Sequence, residues 1–128
     1  MTVLSQMRPV DEREFSRVLA EAAATGAPLE VSGGGTKQGI GRPMQTAANV
    51  SAKAMRGVTL YEPTEMVMSA RAGTPLSQIE SDLADRGQML AFEPLELGPL
   101  MGGEAGQGTI GGVFATNMSG ARRISAGA

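Results

Sequence analysis

Apolar residues recur at helical spacing in two stretches of the chain, and each stretch predicts a helix. In the first, Asp11 is placed to cap the helix, and Gly26 followed by Pro28 is placed to end it. The apolar face of this first helix consists of Phe15, Val18, Leu19 and Ala22.

The second helical stretch begins with Thr74 in the capping place and Pro75 at the first helical position, where its missing N–H group costs nothing. Gly87 is placed to end it. The apolar face of this second helix consists of Leu76, Ile79 and Leu83.

Short apolar or alternating runs predict strands, at 29–31, 48–51, 58–61, 66–72 and 89–92. A long connection rich in proline and glycine follows over 93–108, and residues 111–118 predict a short helical turn opened by glycines. This order of elements indicates an α+β fold with a small mixed or parallel sheet flanked by helices. The 128 residues suffice for one domain.

Composition excludes several kinds of chemistry. The formal net charge of −2 argues against a nucleic-acid partner. Neither cysteine nor histidine occurs, which excludes disulfides, thiolate nucleophiles, the commonest metal ligands and histidine-dependent catalytic triads. Any chemistry must therefore come from a cofactor, from carboxylates or from residues elsewhere. The chain shows no signal-peptide pattern and no membrane-spanning apolar run, which predicts a cytoplasmic location.

Two glycine-rich loops, 33–35 and 108–112, follow or adjoin predicted strands. Glycine lets backbone N–H groups turn toward one point, and successive amides of that kind hold an anion, most often a phosphate. Two such loops in one small domain predict a long ligand with a pyrophosphate in its middle. In the second loop, Gly111 and Gly112 open the predicted helical turn, where free N–H groups favour an anion.

Neither standard nucleotide-loop template fits the first loop. A P-loop starting at Gly34 would need lysine and a hydroxyl residue where Ile40 and Gly41 stand. The dinucleotide fingerprint fails because Gln38 occupies the place of its third glycine. ATP or GTP hydrolysis is therefore disfavoured, as is a dinucleotide site of the standard type.

Three blocks carry a resemblance to a known family, and they are the stretches 29–36, 70–76 and 108–120. In their order and spacing they resemble the FAD-binding domain of the vanillyl-alcohol-oxidase type, also called PCMH-type. The resemblance covers residues 7–128. Finer details at 61–65, 87–94 and 119–123 are similar to one branch of that family, the FAD-binding E subunits of bacterial glycolate oxidases.

The resemblance implies noncovalent FAD held between two α+β subdomains and oxidation of a small 2-hydroxy acid, glycolate, to glyoxylate. It implies other subunits of a glycolate oxidase complex, of flavin and iron–sulfur type, as partners, and it allows peripheral attachment to the inner membrane through them. Related D-lactate dehydrogenases share the loops. The cofactor-binding residues it implies are Ser32, Gly33, Gly34, Gly35, Thr36, Pro94, Gly108, Thr109, Gly111, Gly112, Asn117 and Ser119. Lys37 joins them as a partner for a phosphate oxygen, with a solvated loop lysine as the equal alternative.

The chain departs from the family pattern in two respects. Many members attach FAD through histidine or cysteine, which is impossible here. The family's domain also continues further, so we expect residues 1–128 to be the first part of the domain, including the start of its second subdomain. We expect the catalytic base to lie outside them and assign no catalytic residue or metal ligand.

Other readings of the sequence remain open. One is an assembly subunit of such a complex that no longer uses flavin, and another is a small-anion module unrelated to flavin. Uncovered sheet edges would favour a homo-oligomer. Arg122 and Arg123 are expected to be a solvated pair, and Glu93 an exposed loop charge.

Overall fold

This computed structural model describes residues 5–127, which contain five strands and four α-helices. The strands are β1 (Ser5–Met7), β2 (Leu29–Ser32), β3 (Ala48–Ser51), β4 (Val58–Glu62) and β5 (Val67–Ala70). The helices are α1 (Glu12–Thr25), α2 (Leu76–Ala84), α3 (Ile110–Thr116) and α4 (Arg123–Ala126). The predicted α+β class is confirmed.

A three-stranded parallel sheet in the order β1-β3-β2 forms the first half of the fold. The central strand β3 is buried along its whole length, and Val50 has no exposed surface. Burial of this kind is typical of parallel strands that are covered on both faces. Because Ser32 pairs with Ser51 at the end of the ladder, β2 delivers the first glycine loop beside the end of β3.

Helix α1 connects β1 to β2, and its ends are those that the sequence predicts. The Asp11 carboxylate accepts a hydrogen bond from the Glu14 N–H at 2.8 Å, and Glu14 reaches back to the N–H of Val10 at 3.0 Å. These bonds satisfy N–H groups that a helix start would otherwise leave unpaired. At the other end, Gly26 takes the left-handed conformation, with φ 68°.

Strands β4 and β5 form a separate antiparallel hairpin. A 3-10 turn at Pro63–Glu65 joins them, and Met66 follows it in the left-handed conformation, with φ 53°. The register shifts between Val58 and Leu60, so the hairpin contains a bulge. The two predicted strands are therefore present, although the second is shorter than the 66–72 run indicates.

Thr74 does not cap α2, and this prediction is wrong. Its side chain has no exposed surface, and its hydroxyl lies 2.9 Å from the N–H of Gly57 and 2.7 Å from the carbonyl oxygen of Arg71. The hydroxyl therefore accepts from one loop and donates to another. Pro75 takes the cap position in extended conformation, with ψ 136°, and makes no side-chain cap bond.

Helix α2 supplies buried apolar side chains to a second part of the core, apart from β3. Leu76, Ile79 and Leu83 are buried, as their spacing predicts, and Val113 of α3 joins them in the core. Past the end of α2, the N–H of Gln88 donates to the carbonyl of Leu83 at 2.9 Å. Gly87 lies between them with φ 67° and ends the helix as predicted.

The predicted strand at 89–92 is absent. The chain turns there, because the N–H of Glu93 donates to the carbonyl of Leu90 at 3.3 Å and Glu93 is left-handed, with φ 51°. Pro94 then has no N–H group to offer a ladder. Leu90 and Phe92 instead line a cavity of about 460 Å³ beside Met68 of β5.

The remaining predicted elements are confirmed with small changes. The long connection contains one 3-10 turn, Pro99–Met101. The predicted helical turn is α3, which begins at Ile110 after Thr109 as its cap. Within residues 5–127, no helix combines the length and the apolar character that a bilayer crossing needs.

Replacing Thr74 by valine removes the hydroxyl that serves Gly57 and Arg71 while keeping the side-chain volume. We expect Thr74→Val to lower the free energy of unfolding by about 1–3 kcal/mol, because a part-buried N–H loses its partner. Urea denaturation measures the change. The exposed residue Thr64 provides the control, since Thr64→Val should shift stability by less than about 0.5 kcal/mol. Equal effects would contradict the prediction.

Candidate functional site

The two glycine loops meet, although they lie more than half of the chain apart in sequence. A Cβ atom on Gly33 would overlap the hydroxyl oxygen of Thr109, and a Cβ atom on Gly34 would overlap the carbonyl oxygen of Gln107. The hydroxyl of Ser51 also donates to the carbonyl of Gly33 at 3.3 Å. Only glycine permits this approach of one backbone to another.

The first loop keeps its amides free. Within residues 5–127, the N–H groups of Gly34, Gly35 and Thr36 donate no hydrogen bond. Gly35 is left-handed, with φ 77°, which is the kind of turn that gathers successive N–H groups. These three residues line a cavity of about 340 Å³, whose opposite wall includes Met101 and Gln107. Unpaired amides in an open cavity are suited to an anion.

At the start of α3, the second loop uses three of its amides within the protein, those of Ile110, Gly111 and Gly112. The N–H of Ile110 donates to the carbonyl of Thr74 at 3.0 Å, and the N–H of Gly111 donates to the carbonyl of Ala72 at 2.9 Å. The N–H of Gly112 donates to the hydroxyl of Thr109 at 3.3 Å. The expectation of free N–H groups at the start of this helix is therefore wrong, whereas contact of these residues with a cofactor stays a prediction.

At Gly111, helix α3 packs against Ala72, in the connection between β5 and α2. A Cβ atom there would lie 2.8 Å from the carbonyl oxygen of Ala72 and 2.9 Å from its Cβ atom. Gly112 is different, because a Cβ atom there would make only ordinary contacts, at 3.5 Å, with Lys37 Nζ and the Thr109 hydroxyl. Gly108 lies beside the Glu96 carboxylate, 3.3 Å from the position of an added Cβ atom.

The residues at the two ends of the first loop point in different directions. The hydroxyl of Ser32 donates to the side-chain oxygen of Asn49 at 3.2 Å, so it turns back toward the sheet. The side-chain nitrogen of Asn49 is buried and has no partner within residues 5–127. Lys37 is half-buried, and its ammonium reaches toward Gly112 of the second loop.

The remaining predicted site residues lie at the other end of α3. Asn117 ends this helix in left-handed conformation, with φ 49°. Ser119 forms an antiparallel bridge with Pro94, which brings these two predicted residues together. Asn117 and Ser119 line a cavity of about 290 Å³ with apolar neighbours that include Phe114. Four helical residues, 113–116, separate Asn117 from Gly112 of the second loop, and the step from Gly112 to Asn117 is about 7.5 Å along the helix axis.

Arg122 and Arg123 are exposed, as expected, and Arg122 also forms a surface ion pair. Its guanidinium lies 3.3 Å from a carboxylate oxygen of Glu93, and its backbone N–H donates to the other carboxylate oxygen at 3.0 Å. The N–H of Gly120 donates to the carbonyl of Glu93 at 2.8 Å. Glu93 therefore holds the chain after α3 against the turn at Pro94.

Sequence reasoning missed two residues that lie against the first loop and the segment after it, Gln107 and Met101. Gln107 supplies the carbonyl that lies on Gly34, and its side chain accepts a hydrogen bond from Lys53 at 3.0 Å. The methyl group of Met101 lies 3.0 Å from the position of a Cβ atom on Gly39. Gln107 belongs to no motif, and its only signal in the sequence is its place directly before the second loop.

This geometry agrees with two comparisons to known proteins. A profile of the FAD binding domain family matches residues 5–128. The chain belongs to this family. Over 116 residues it is 40% identical to the glycolate oxidase subunit GlcE of Escherichia coli strain K12. That alignment covers 88% of the chain and 31% of GlcE, so the chain spans about a third of its relative's length.

FAD is the cofactor of this family, and the first loop fits the diphosphate of FAD. The three residues whose N–H groups have no partner within residues 5–127, Gly34, Gly35 and Thr36, line one open cavity. A diphosphate supplies acceptor oxygens for such donors, and charge-assisted hydrogen bonds of this kind are strong. No group of three acidic side chains within residues 5–127 is arranged to hold a metal ion.

Gly111 and Gly112 allow a matched test of the packing between the second loop and the connection that follows β5. Alanine normally stabilises a helix relative to glycine by up to about 1 kcal/mol. We expect Gly112→Ala to keep or raise the free energy of unfolding. We expect Gly111→Ala to lower it by about 1–3 kcal/mol, because the added methyl group overlaps Ala72. Urea denaturation of both variants decides, and a Gly111→Ala variant as stable as Gly112→Ala would refute the packing argument.

Proposed function

We propose that the chain is the N-terminal part of the FAD-binding domain of a 2-hydroxy-acid oxidoreductase, in which FAD is held without a covalent bond. The observation that carries this proposal is the first glycine loop, with its free amides at Gly34, Gly35 and Thr36. The family membership supports the identity of the ligand. The absence of histidine and cysteine supports noncovalent binding.

The two groups of site residues fit two parts of one extended ligand. We assign the pyrophosphate to the first loop, Ser32–Thr36. Gln107, directly before Gly108, lies against this loop and lines its cavity. We assign the ribityl and flavin end to Pro94, Asn117 and Ser119, where the cavity is lined largely by apolar groups. Because residues 113–116 of α3 lie between the second loop and Asn117, the two groups are distinct, which suits an extended dinucleotide rather than a simple anion.

When bound, FAD supplies the acceptor for the two electrons that leave a 2-hydroxy acid as it becomes a 2-oxo acid. The residues of this chain bind and orient the cofactor. The described part of the chain offers no histidine as a base, and its carboxylate Glu93 is paired with Arg122. We therefore propose that the group accepting the hydroxyl proton lies outside residues 1–128.

The relative supports a proposal for the substrate and the partners of the whole protein. GlcE is a subunit of glycolate oxidase, and the chain is 40% identical to 31% of it. We propose glycolate as the substrate of the whole protein and glyoxylate as its product. We propose further flavin and iron–sulfur subunits as partners that receive the electrons.

The first experiment is a flavin-fluorescence titration with FAD. It is carried out on the 128-residue chain and on a polypeptide continued through the rest of the domain. We expect at least the longer polypeptide to quench the fluorescence of FAD saturably. Binding by neither would overturn the proposal and favour an assembly subunit that does not use flavin.

Gly34→Ala provides the matching variant in that titration. Its methyl group overlaps the Gln107 carbonyl and must spread the two loops, so we expect the dissociation constant for FAD to rise at least about tenfold. Gly103→Ala is the control, because Gly103 lines the same cavity but an added Cβ atom there makes only an ordinary 3.4 Å contact. Circular dichroism verifies that both variants are folded. Equal FAD affinities in the two variants would argue against the loop as the cofactor site.

The substrate is tested on the assembled complex under anaerobic conditions. We expect glycolate to bleach the flavin absorbance, and D-lactate to bleach it more slowly at equal concentration. An alcohol without a carboxylate serves as the control and should leave the absorbance unchanged. Bleaching by D-lactate alone would retain the FAD site and overturn glycolate as the substrate.

A further inference from the structure

We propose that Lys37 is the residue that makes this site select a flavin carrying a diphosphate, by pairing its ammonium with the pyrophosphate of FAD. The inference rests on the proposed function, because it assumes that FAD occupies the glycine loops. It assigns to one side chain the discrimination between FAD and the neutral flavin portion alone.

The placement of Lys37 is the first argument. It follows the free amides of the first loop directly, and its ammonium lies 3.5 Å from the position of a Cβ atom on Gly112. The Lys37 ammonium therefore lies close to both loops. Within residues 5–127 it takes part in no ion pair. The other lysine of the chain, Lys53, donates to the side chain of Gln107 and so is already engaged.

The second argument is that no other side chain of the two loops is positively charged. The amides of Ile110, Gly111 and Gly112 are spent on internal acceptors, so the second loop offers a diphosphate no free N–H at its helical turn. The first-loop amides are neutral groups. Among the groups on these loops, Lys37 is therefore the one that brings a positive charge to the anion.

The third argument is the negative charge around the loops. Glu104 lines the cavity of the first loop, and the Glu96 carboxylate lies beside Gly108. A doubly charged diphosphate would be repelled by these carboxylates over the short distances of the site. An ammonium between the loops offsets this repulsion. A neutral flavin is not repelled by the carboxylates, so the ammonium does not raise its affinity.

The test compares FAD with riboflavin, which carries no phosphate. It uses whichever polypeptide binds FAD in the titration above. For Lys37→Met we expect the dissociation constant of FAD to rise about tenfold and that of riboflavin to stay within about twofold. Lys37→Arg should restore most of the FAD affinity. Arg42→Met is the control, since Arg42 is exposed in the same connection and its loss changes the net charge equally.

A second measurement reports on Lys37 directly. Reductive ¹³C-methylation labels Lys37, Lys53, any lysines of the longer polypeptide and the terminal amine while keeping their charges, and the resonances missing from Lys37→Met and Lys53→Met assign the two lysines. We expect FAD to shift the methyl resonance of Lys37 and to leave that of Lys53 nearly unchanged. Riboflavin should shift neither, and raising the ionic strength should weaken FAD binding more in the wild type than in Lys37→Met.

Each outcome decides between the alternatives. FAD binding that survives Lys37→Met, with an unmoved Lys37 resonance, would overturn this inference and leave the proposed function standing, with Lys37 a solvated residue. Equal loss of FAD and riboflavin affinity would also overturn it, because Lys37 would then act on loop structure. Absence of FAD binding to either wild-type polypeptide would overturn the proposed function, and this inference with it.

Discussion

The close approach of two backbones at Gly33 and Gly34 is the constraint on which the rest of the site depends. Where the carbonyl of Gln107 and the hydroxyl of Thr109 lie against these glycines, no side chain fits. The contact fixes the separation of the two loops, and this separation decides which groups a ligand can reach. It also places Lys37, which leaves the first loop and extends over the second. The cavity lined by Thr36 and Met101 lies beside this contact.

The two glycine loops use glycine for different physical reasons. In the first loop, the absence of Cβ atoms and the left-handed Gly35 leave amides exposed to a ligand. In the second loop, Gly111 allows α3 to lie against Ala72, and the amides of Ile110, Gly111 and Gly112 are hydrogen-bonded to Thr74, Ala72 and Thr109. The buried hydroxyl of Thr74 similarly joins the loops at Gly57 and Arg71. The first loop therefore keeps donors that the proposed ligand needs, while the amides at the start of α3 stabilise the fold.

Local signals in the sequence were sufficient wherever a single residue decides the backbone. Asp11, Gly26 and Gly87 act through their own conformation or their nearest neighbours, so the ends of α1 and α2 could be predicted. The 89–92 run was misread because its turn depends on Glu93 and on contacts with Gly120, which is distant in sequence. Thr74 was misread for the same reason, since its hydroxyl serves Gly57 rather than its own helix. Gln107 could not be predicted, because only the folded contact with Gly34 gives it a role.

The distance along the chain between Gly34 and Gln107 has a consequence for the order of events during synthesis. Both loops must have left the ribosome, and the segments between them must have folded, before the two glycine loops can come into contact. Closing a loop of this length costs entropy that local contacts alone do not repay. A cofactor that bridges the two loops would act as a late cross-link between distant segments and would favour the folded over the unfolded chain. Cofactor supply would thereby influence how much of the newly made protein escapes degradation.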